Sequence, residues 1–109
     1  MLSFLKNENG TEPVRDWLRS LEKEDKKVIG EDIKTVQYGW PIGMPVVRKM
    51  EKDIWEIRTH LHGGIARVLF TVFDEKMVLL HGFIKKSQKT PIEILQCARK
   101  RKNMLKGKA

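Results

Sequence analysis

The feature that most constrains the fold is a change of hydrophobic period partway along the chain. In the N-terminal part, Val14, Trp17, Leu18 and Leu21 fall at i, i+3, i+4 and i+7, and Ile29, Ile33 and Val36 continue a helical stripe past Gly30. The segment from Gly39 to Pro45 holds two prolines and two glycines within seven positions, which no regular element tolerates. Beyond it the pattern alternates in twos and is rich in β-branched and aromatic residues. Helices must therefore come first and strands second.

Thr11 is an expected N-cap, with Glu12 and Pro13 in the first turn, and the stripes predict a helical hairpin over 12–23 and 26–38. Four strands are expected at Val46–Met50, Asp53–His60, Ile65–Phe73 and Lys76–Ile84, separated by Glu51-Lys52, His62-Gly63-Gly64 and Asp74-Glu75. Such short turns demand antiparallel neighbours, because parallel strands need a long crossover. Residues 2–5 alternate briefly and suggest a short N-terminal strand. Thr90-Pro91-Ile92-Glu93 combines a capping box with an early helical proline, so a C-terminal helix is expected to run to about Leu105. The order predicts an α+β fold: a helical hairpin, an antiparallel meander of about four strands plus the short N-terminal one, and a last helix. With 109 residues, one domain over 1–109 is expected.

Composition excludes several classes. The single cysteine, Cys97, cannot form an internal disulfide, and the apolar runs fall short of the roughly 18 residues that span a bilayer. The start, MLSFLKNENG, lacks the layout of a secretory signal, so a cytoplasmic chain without membrane contact is expected. There are 22 Lys+Arg against 14 Asp+Glu, a formal charge of +8. Residues 1–84 balance 13 basic against 13 acidic residues, whereas 85–109 hold nine basic residues and one acid, Glu93. A charge excess confined to one end is the footprint of a surface for a polyanion; a solvated basic helix is the plainer alternative.

Strand parity sorts the candidates for chemistry. Trp55, Ile57 and Thr59 share one face of their strand, suited to the core; Ile54, Glu56, Arg58 and His60 share the other. Arg67 lies in the middle of an apolar strand, where a charge is costly unless paired or facing a wet concavity. It is either a structural arginine paired with Glu56 or Asp53, or one of three cations, with Arg58 and Lys85, that converge on a phosphate. In the last strand, parity groups His81 and Lys85 with Leu79 and Phe83, and Lys86 with Leu80 and Ile84. His60, His62 and His81 have no carboxylate at ligand spacing, so no metal and no cofactor are expected. Cys97 reads as a small thiol buried within the last helix.

The pieces Ile54-Trp55-Glu56-Ile57-Arg58, Gly64-Ile65-Ala66-Arg67-Val68, Leu79-Leu80-His81-Gly82-Phe83-Ile84-Lys85-Lys86 and Gln88-Lys89-Thr90-Pro91, following Asn9-Gly10 and Glu12-Pro13-Val14, resemble the phage-derived branch of the RelE/HigB toxins across nearly the whole chain. The resemblance implies a type II toxin that cleaves messenger RNA in the ribosomal A site, beside ribosomal RNA, and is silenced by a HigA-like helix-turn-helix antitoxin. It implies Arg67 as the principal phosphate-stabilising residue, Arg58 as a second basic strand position, and Lys85 or Lys86 as the basic residue ending the last strand. His81, with an unperturbed pKa near neutrality, is a further candidate for acid or base. Arg48, Lys49, Lys86, Lys89, Arg99 and Lys102 are the expected RNA-backbone contacts. The chain departs from classical RelE toxins in having Glu56 where they have a lysine, and in lacking their C-terminal tyrosine.

Overall fold

The computed structural model describes residues 2–41, 46–85 and 89–107. The elements follow in the expected order: β1 (Leu2–Phe4), α1 (Pro13–Ser20), α2 (Lys23–Gly39), β2 (Val47–Glu51), β3 (Ile54–Leu61), β4 (Gly64–Phe73), β5 (Lys76–Lys85) and α3 (Ile92–Gly107). The fold is α+β. The helical hairpin turns earlier than its charged connector suggested. Helix α1 ends at Ser20, and α2 begins at Lys23 and runs through Gly30 to Gly39. Gly30 does not break it because Ile29, Ile33 and Val36 on either side are fully engaged with the sheet.

The five strands are ordered β1-β5-β4-β3-β2. Strands β2 to β5 form the antiparallel meander, while β1 pairs in parallel with β5. That parallel pair is possible because two helices and three strands intervene, ample for a crossover. Asp74 and Glu75 both take positive φ (52° and 61°), the left-handed pair that a two-residue hairpin between β4 and β5 needs.

Alternation gives the sheet two apolar faces. One carries Val47, Ile57, Ala66, Val68, Phe70, Met77 and Leu79, and packs on Val14 of α1 and on Ile29, Ile33 and Val36 of α2. Trp40 meets Trp55 and Phe70 edge-on there, at centroid distances of 5.0 and 5.2 Å. The other face carries Ile54, Leu69, Val78 and Leu80, and packs on Ala98, Ile94, Leu95 and Leu105 of α3. Each such aliphatic side chain stabilises the fold by about 1.5–3 kcal/mol relative to exposure. Gly82 lies beneath the Trp17 ring so closely that a Cβ there would collide with it, which makes glycine obligatory at that point of β5.

One register detail corrects the parity expectation. Strand β5 carries an extra residue: Leu79 lies opposite Phe70 and His81 opposite Leu69, with Leu80 between them. The bulge puts Leu79 on the helical-hairpin face and turns Leu80 toward α3. From His81 onward the strand runs in the opposite phase to its first half. His81, Phe83 and Lys85 therefore share the α3 face with Glu56, Arg58 and Arg67, and not with Leu79.

Candidate active site

Cross-strand register assembles the site. Arg58 and Arg67 are direct partners across β3 and β4, and Phe83 of β5 lies opposite Arg67. One row away, Arg48, Glu56, Leu69 and His81 line up across β2 to β5; Lys85 lies opposite Ile65 on the other side. Two arginines directly opposite one another repel unless a counter-charge stands between them. Glu56 supplies it. Its Oε1 accepts from Arg58 Nε at 3.0 Å and from Arg67 Nη1 at 3.2 Å. Its Oε2 accepts from the Thr90 hydroxyl at 2.6 Å, and that hydroxyl accepts in turn from Arg67 Nη1 at 3.3 Å.

Glu56 and Arg67 are completely buried, whereas the Arg58 side chain keeps 12% of its exposure. Taking both ions out of water costs several kcal/mol each, which their attraction offsets only when the hydrogen bonds are complete. The cluster thus presents Arg58 outward with Arg67 behind it. The structure places Arg67 in the ion pair with Glu56 that a structural arginine would make, and also in the cationic group that a phosphate site would need.

Thr90 was expected to cap the last helix. Its hydroxyl is committed to Glu56 and Arg67, and α3 begins at Ile92 with Ile94 N–H donating to Pro91 O. Helix α3 is pinned to the sheet further along. Arg99 Nε donates to both Glu51 carboxylate oxygens at 2.9 and 2.8 Å, which holds the Glu51 pKa below its usual range and raises that of Arg99. Lys102 Nζ reaches Lys52 O at 3.4 Å. Arg101 Nη1 donates to Leu80 O at 2.7 Å, at the bulge, and to His81 Nδ1 at 3.0 Å.

That last contact defines what His81 can do. Burial, followed by the charge of Arg101, pushes the His81 pKa down. A donor at Nδ1 makes that nitrogen the acceptor, so the proton of the neutral ring sits on Nε2. His81 is therefore equipped to donate from Nε2, while its Nδ1 lone pair is already engaged. Its ring lies 6.0 Å from that of Phe83, and Cys97 Sγ is 3.9 Å from Nδ1. Cys97 itself is partly exposed, not buried.

Of the expected backbone contacts, Arg48, Lys49, Lys89 and Arg99 are exposed and Lys102 is partly exposed. Lys86 lies outside the described residues. Arg48 shares the α3 face through its register with Glu56, whereas Lys49, opposite Trp55, shares the other. Arg99 and Lys102 are engaged by the β2–β3 turn. Sequence reasoning missed Thr90 and Arg101 as parts of the site. Arg101 left a signal, since it falls four residues after Cys97 and three after Ala98, on the stripe that faces the sheet. Thr90 left none, because a cap and a hydrogen bond to a distant carboxylate use the same residue.

Two cavities lie away from this cluster. One of about 300 Å3 is lined by Glu24, Asp25, Val28, His60, Leu61 and His62, and an open one by Asn7, Glu8, Asn9, Lys100 and Met104. Among the described residues no group of three or more His, Cys, Asp or Glu side chains is placed to hold a metal ion, and no helix is long and apolar enough to cross a membrane.

No curated protein matches the sequence. Among solved structures, the crystal structure of the isolated Escherichia coli RelE toxin superposes with a TM-score of 0.54 at 19% identity, covering 91% of this chain and 96% of that one. At that identity the likeness is one of fold, and it agrees with the RelE-like architecture the sequence suggested. Residues 16–103 match the family described as phage derived protein Gp49-like (DUF891). The match spans most of the chain, and the protein belongs to this phage-derived Gp49-like family.

Proposed function

We propose that the protein is a ribosome-dependent messenger RNA endoribonuclease, the toxin of a type II toxin–antitoxin pair, acting in the cytoplasm as a single domain and neutralised by a HigA-like helix-turn-helix antitoxin. The observation that carries this reading is the convergence of Arg58, Arg67 and Lys85 on one sheet face of a RelE-like fold. Cleavage by attack of a 2′-hydroxyl on the adjacent phosphorus builds charge on the equatorial oxygens and leaves a 2′,3′-cyclic phosphate with a free 5′-hydroxyl. Preorganised cations at that position are what the reaction needs. In this reading Arg58 meets the phosphate, Arg67 adds charge from beneath, Lys85 serves the leaving group or the local field, and His81 Nε2–H is a further donor. Arg48, Lys49, Lys86, Lys89, Arg99 and Lys102 would hold the RNA backbone without reading sequence.

A second reading has its own support. The complete burial of Arg67 in an ion pair suits a noncatalytic RNA- or antitoxin-binding protein on the same fold. Mapping RNA ends in a translating extract separates the two. The nuclease reading expects new 5′-hydroxyl ends within ribosome-bound messages; intact messages at saturating protein would overturn it in favour of the binding protein.

A further inference from the structure

Glu56 is the least expected residue of the α3 face. Carboxylates are almost never completely buried unless paired, and Glu56 stands between Arg48 and Leu69 in its row and between Ile54 and Arg58 on its strand, so an aliphatic side chain would continue the apolar surface on two of its four sides. A buried carboxylate kept at such a position must do something an aliphatic side chain would not. Both of its oxygens are engaged, and by three different elements: Arg58 from its own strand, Arg67 from β4, and Thr90 from the segment leading into α3.

The atoms used matter. Arg58 is held at Nε, and a guanidinium is planar, so a bond at Nε fixes the plane in which the terminal nitrogens lie. Arg67 and Thr90, both more than nine-tenths buried, brace the carboxylate from behind, and the Arg67–Thr90 bond closes the triangle. Arg58, with 12% of its side-chain exposure, is the most accessible of the charged groups in this cluster, and Arg67 and Glu56 are completely buried. The carboxylate also offsets one of the two arginine charges, so what it can add to the reaction is orientation and not charge. A guanidinium held in one plane before the phosphate arrives needs no reorganisation during the reaction, which favours turnover.

We propose that Glu56, braced by Arg67 and Thr90, is the positioning residue of this site: it sets the plane of the Arg58 guanidinium toward an RNA phosphodiester, and Thr90 ties that orientation to the docking of the start of α3. The proposal rests on the nuclease reading for its substrate, while its geometry can be tested apart from activity.

The test uses the full chain with Glu56→Gln and Thr90→Val, the latter removing a hydroxyl at nearly constant shape and serving as the deciding variant where Glu56→Gln does not fold. Cleavage of ribosome-bound message is measured at saturation and across concentration, and the Arg58 Nε–H resonance, assigned by its loss in Arg58→Lys, is followed by NMR. Glu56→Gln is expected to lower turnover by about 10–100-fold with KM unchanged or lower, and Thr90→Val to lower it by about 3–10-fold. In both, Arg58 Nε–H exchange is expected to quicken about tenfold. A folded variant that turns over like the wild type, or that loses only KM, overturns the proposal; so does an unchanged Nε–H. Should the wild-type chain leave messages intact, the nuclease reading falls, and the Nε–H exchange still decides whether Glu56 orients Arg58.

Discussion

On the α3 side of this molecule a completely buried glutamate–arginine pair and an exposed one differ in nearly everything except chemistry. Glu56 and Arg67 meet at 3.2 Å with neither side chain exposed; Glu51 and Arg99 meet at 2.8 Å with side-chain exposures of 26% and 45%. The first joins two central strands, the second ties the end of β2 to the last helix. The closer pair is the weaker fastening, because water and salt screen it and because both side chains lose freedom to form it. Distance says little about what an ion pair does; the surroundings decide.

Removing Arg67 breaks the buried pair most severely. Arg67→Ala leaves the Glu56 carboxylate in the interior without its buried counter-charge, with Arg58 the remaining one, and is expected to cost about 3–5 kcal/mol. Replacing both partners together, as Glu56→Leu with Arg67→Met, is expected to cost less, since the completely buried ions are removed as a pair and only Arg58, which keeps 12% of its side-chain exposure, loses a carboxylate. Urea unfolding of the three proteins checks this. Equal losses in the single and double variants would show that the cavity, and not the stranded charge, dominates.

Arg58→Ala sharpens the same comparison on the functional side. Arg58 is more exposed than Arg67, and its loss leaves Glu56 still bonded to Arg67 and Thr90, so it is expected to cost less stability than loss of Arg67. On the nuclease reading, cleavage of ribosome-bound message should fall by about 10²–10³-fold, the usual scale for losing one preorganised donor to developing charge. Comparable losses of stability and rate would mean that Arg58 acts mainly as a strut.

How much of this was legible beforehand depended on whether information was local. The helix stripes and the two-residue period placed α1, α2 and the strands, because each pattern lies within one segment and reflects one buried face, and the Thr90-to-Glu93 run placed α3. Arg67 stood out as a charge inside an apolar strand, and parity put Arg58 and Glu56 on one face of theirs. The phase of β5 did not, since the Leu80 bulge breaks alternation without a glycine or proline to mark it. Nor did Thr90 or the docking of α3: these depend on partners 20 to 50 residues away along the chain. The basic excess of the last 25 residues read as docking surface, yet the structure commits three of its cations, Arg99, Arg101 and Lys102, to holding the helix on the sheet.

Acid probes the contact between those regions at His81, where Arg101 from α3 meets β5 beside Cys97. Its folded pKa is lowered from 6.5, mainly by burial. The unfolded chain then binds the proton more readily, so the contribution is fully present above pH 6.5 and is lost as pH falls through the lower folded value. Stability is expected to decline over that window in the wild type and to stay flatter in His81→Gln. Denaturant midpoints at a series of pH values measure it; parallel curves would show that protonation of this ring does not loosen α3.

The exposed pair should give the smallest effect, and one of a different kind. Glu51 has its pKa lowered from 4.5, first by the Arg99 hydrogen bond, so its contribution is present above 4.5 and disappears as pH falls through the folded value. Arg99→Ala should therefore shift the denaturant midpoint only slightly at low salt and neutral pH, and not at all in about 1 M salt, where screening reaches within a few ångströms. Because Arg99 already has a carboxylate, its loss should also change RNA affinity less than loss of Arg48, which is exposed on the same face with no ion pair among the described residues. Arg48→Ala is expected to reduce the salt dependence of RNA binding by about 0.7–0.9 in log–log slope, one phosphate contact, and Arg99→Ala by much less. Equal slopes for the two variants would mean that RNA draws Arg99 away from Glu51, and that the exposed pair is a clasp that opens on binding, unlike the buried one.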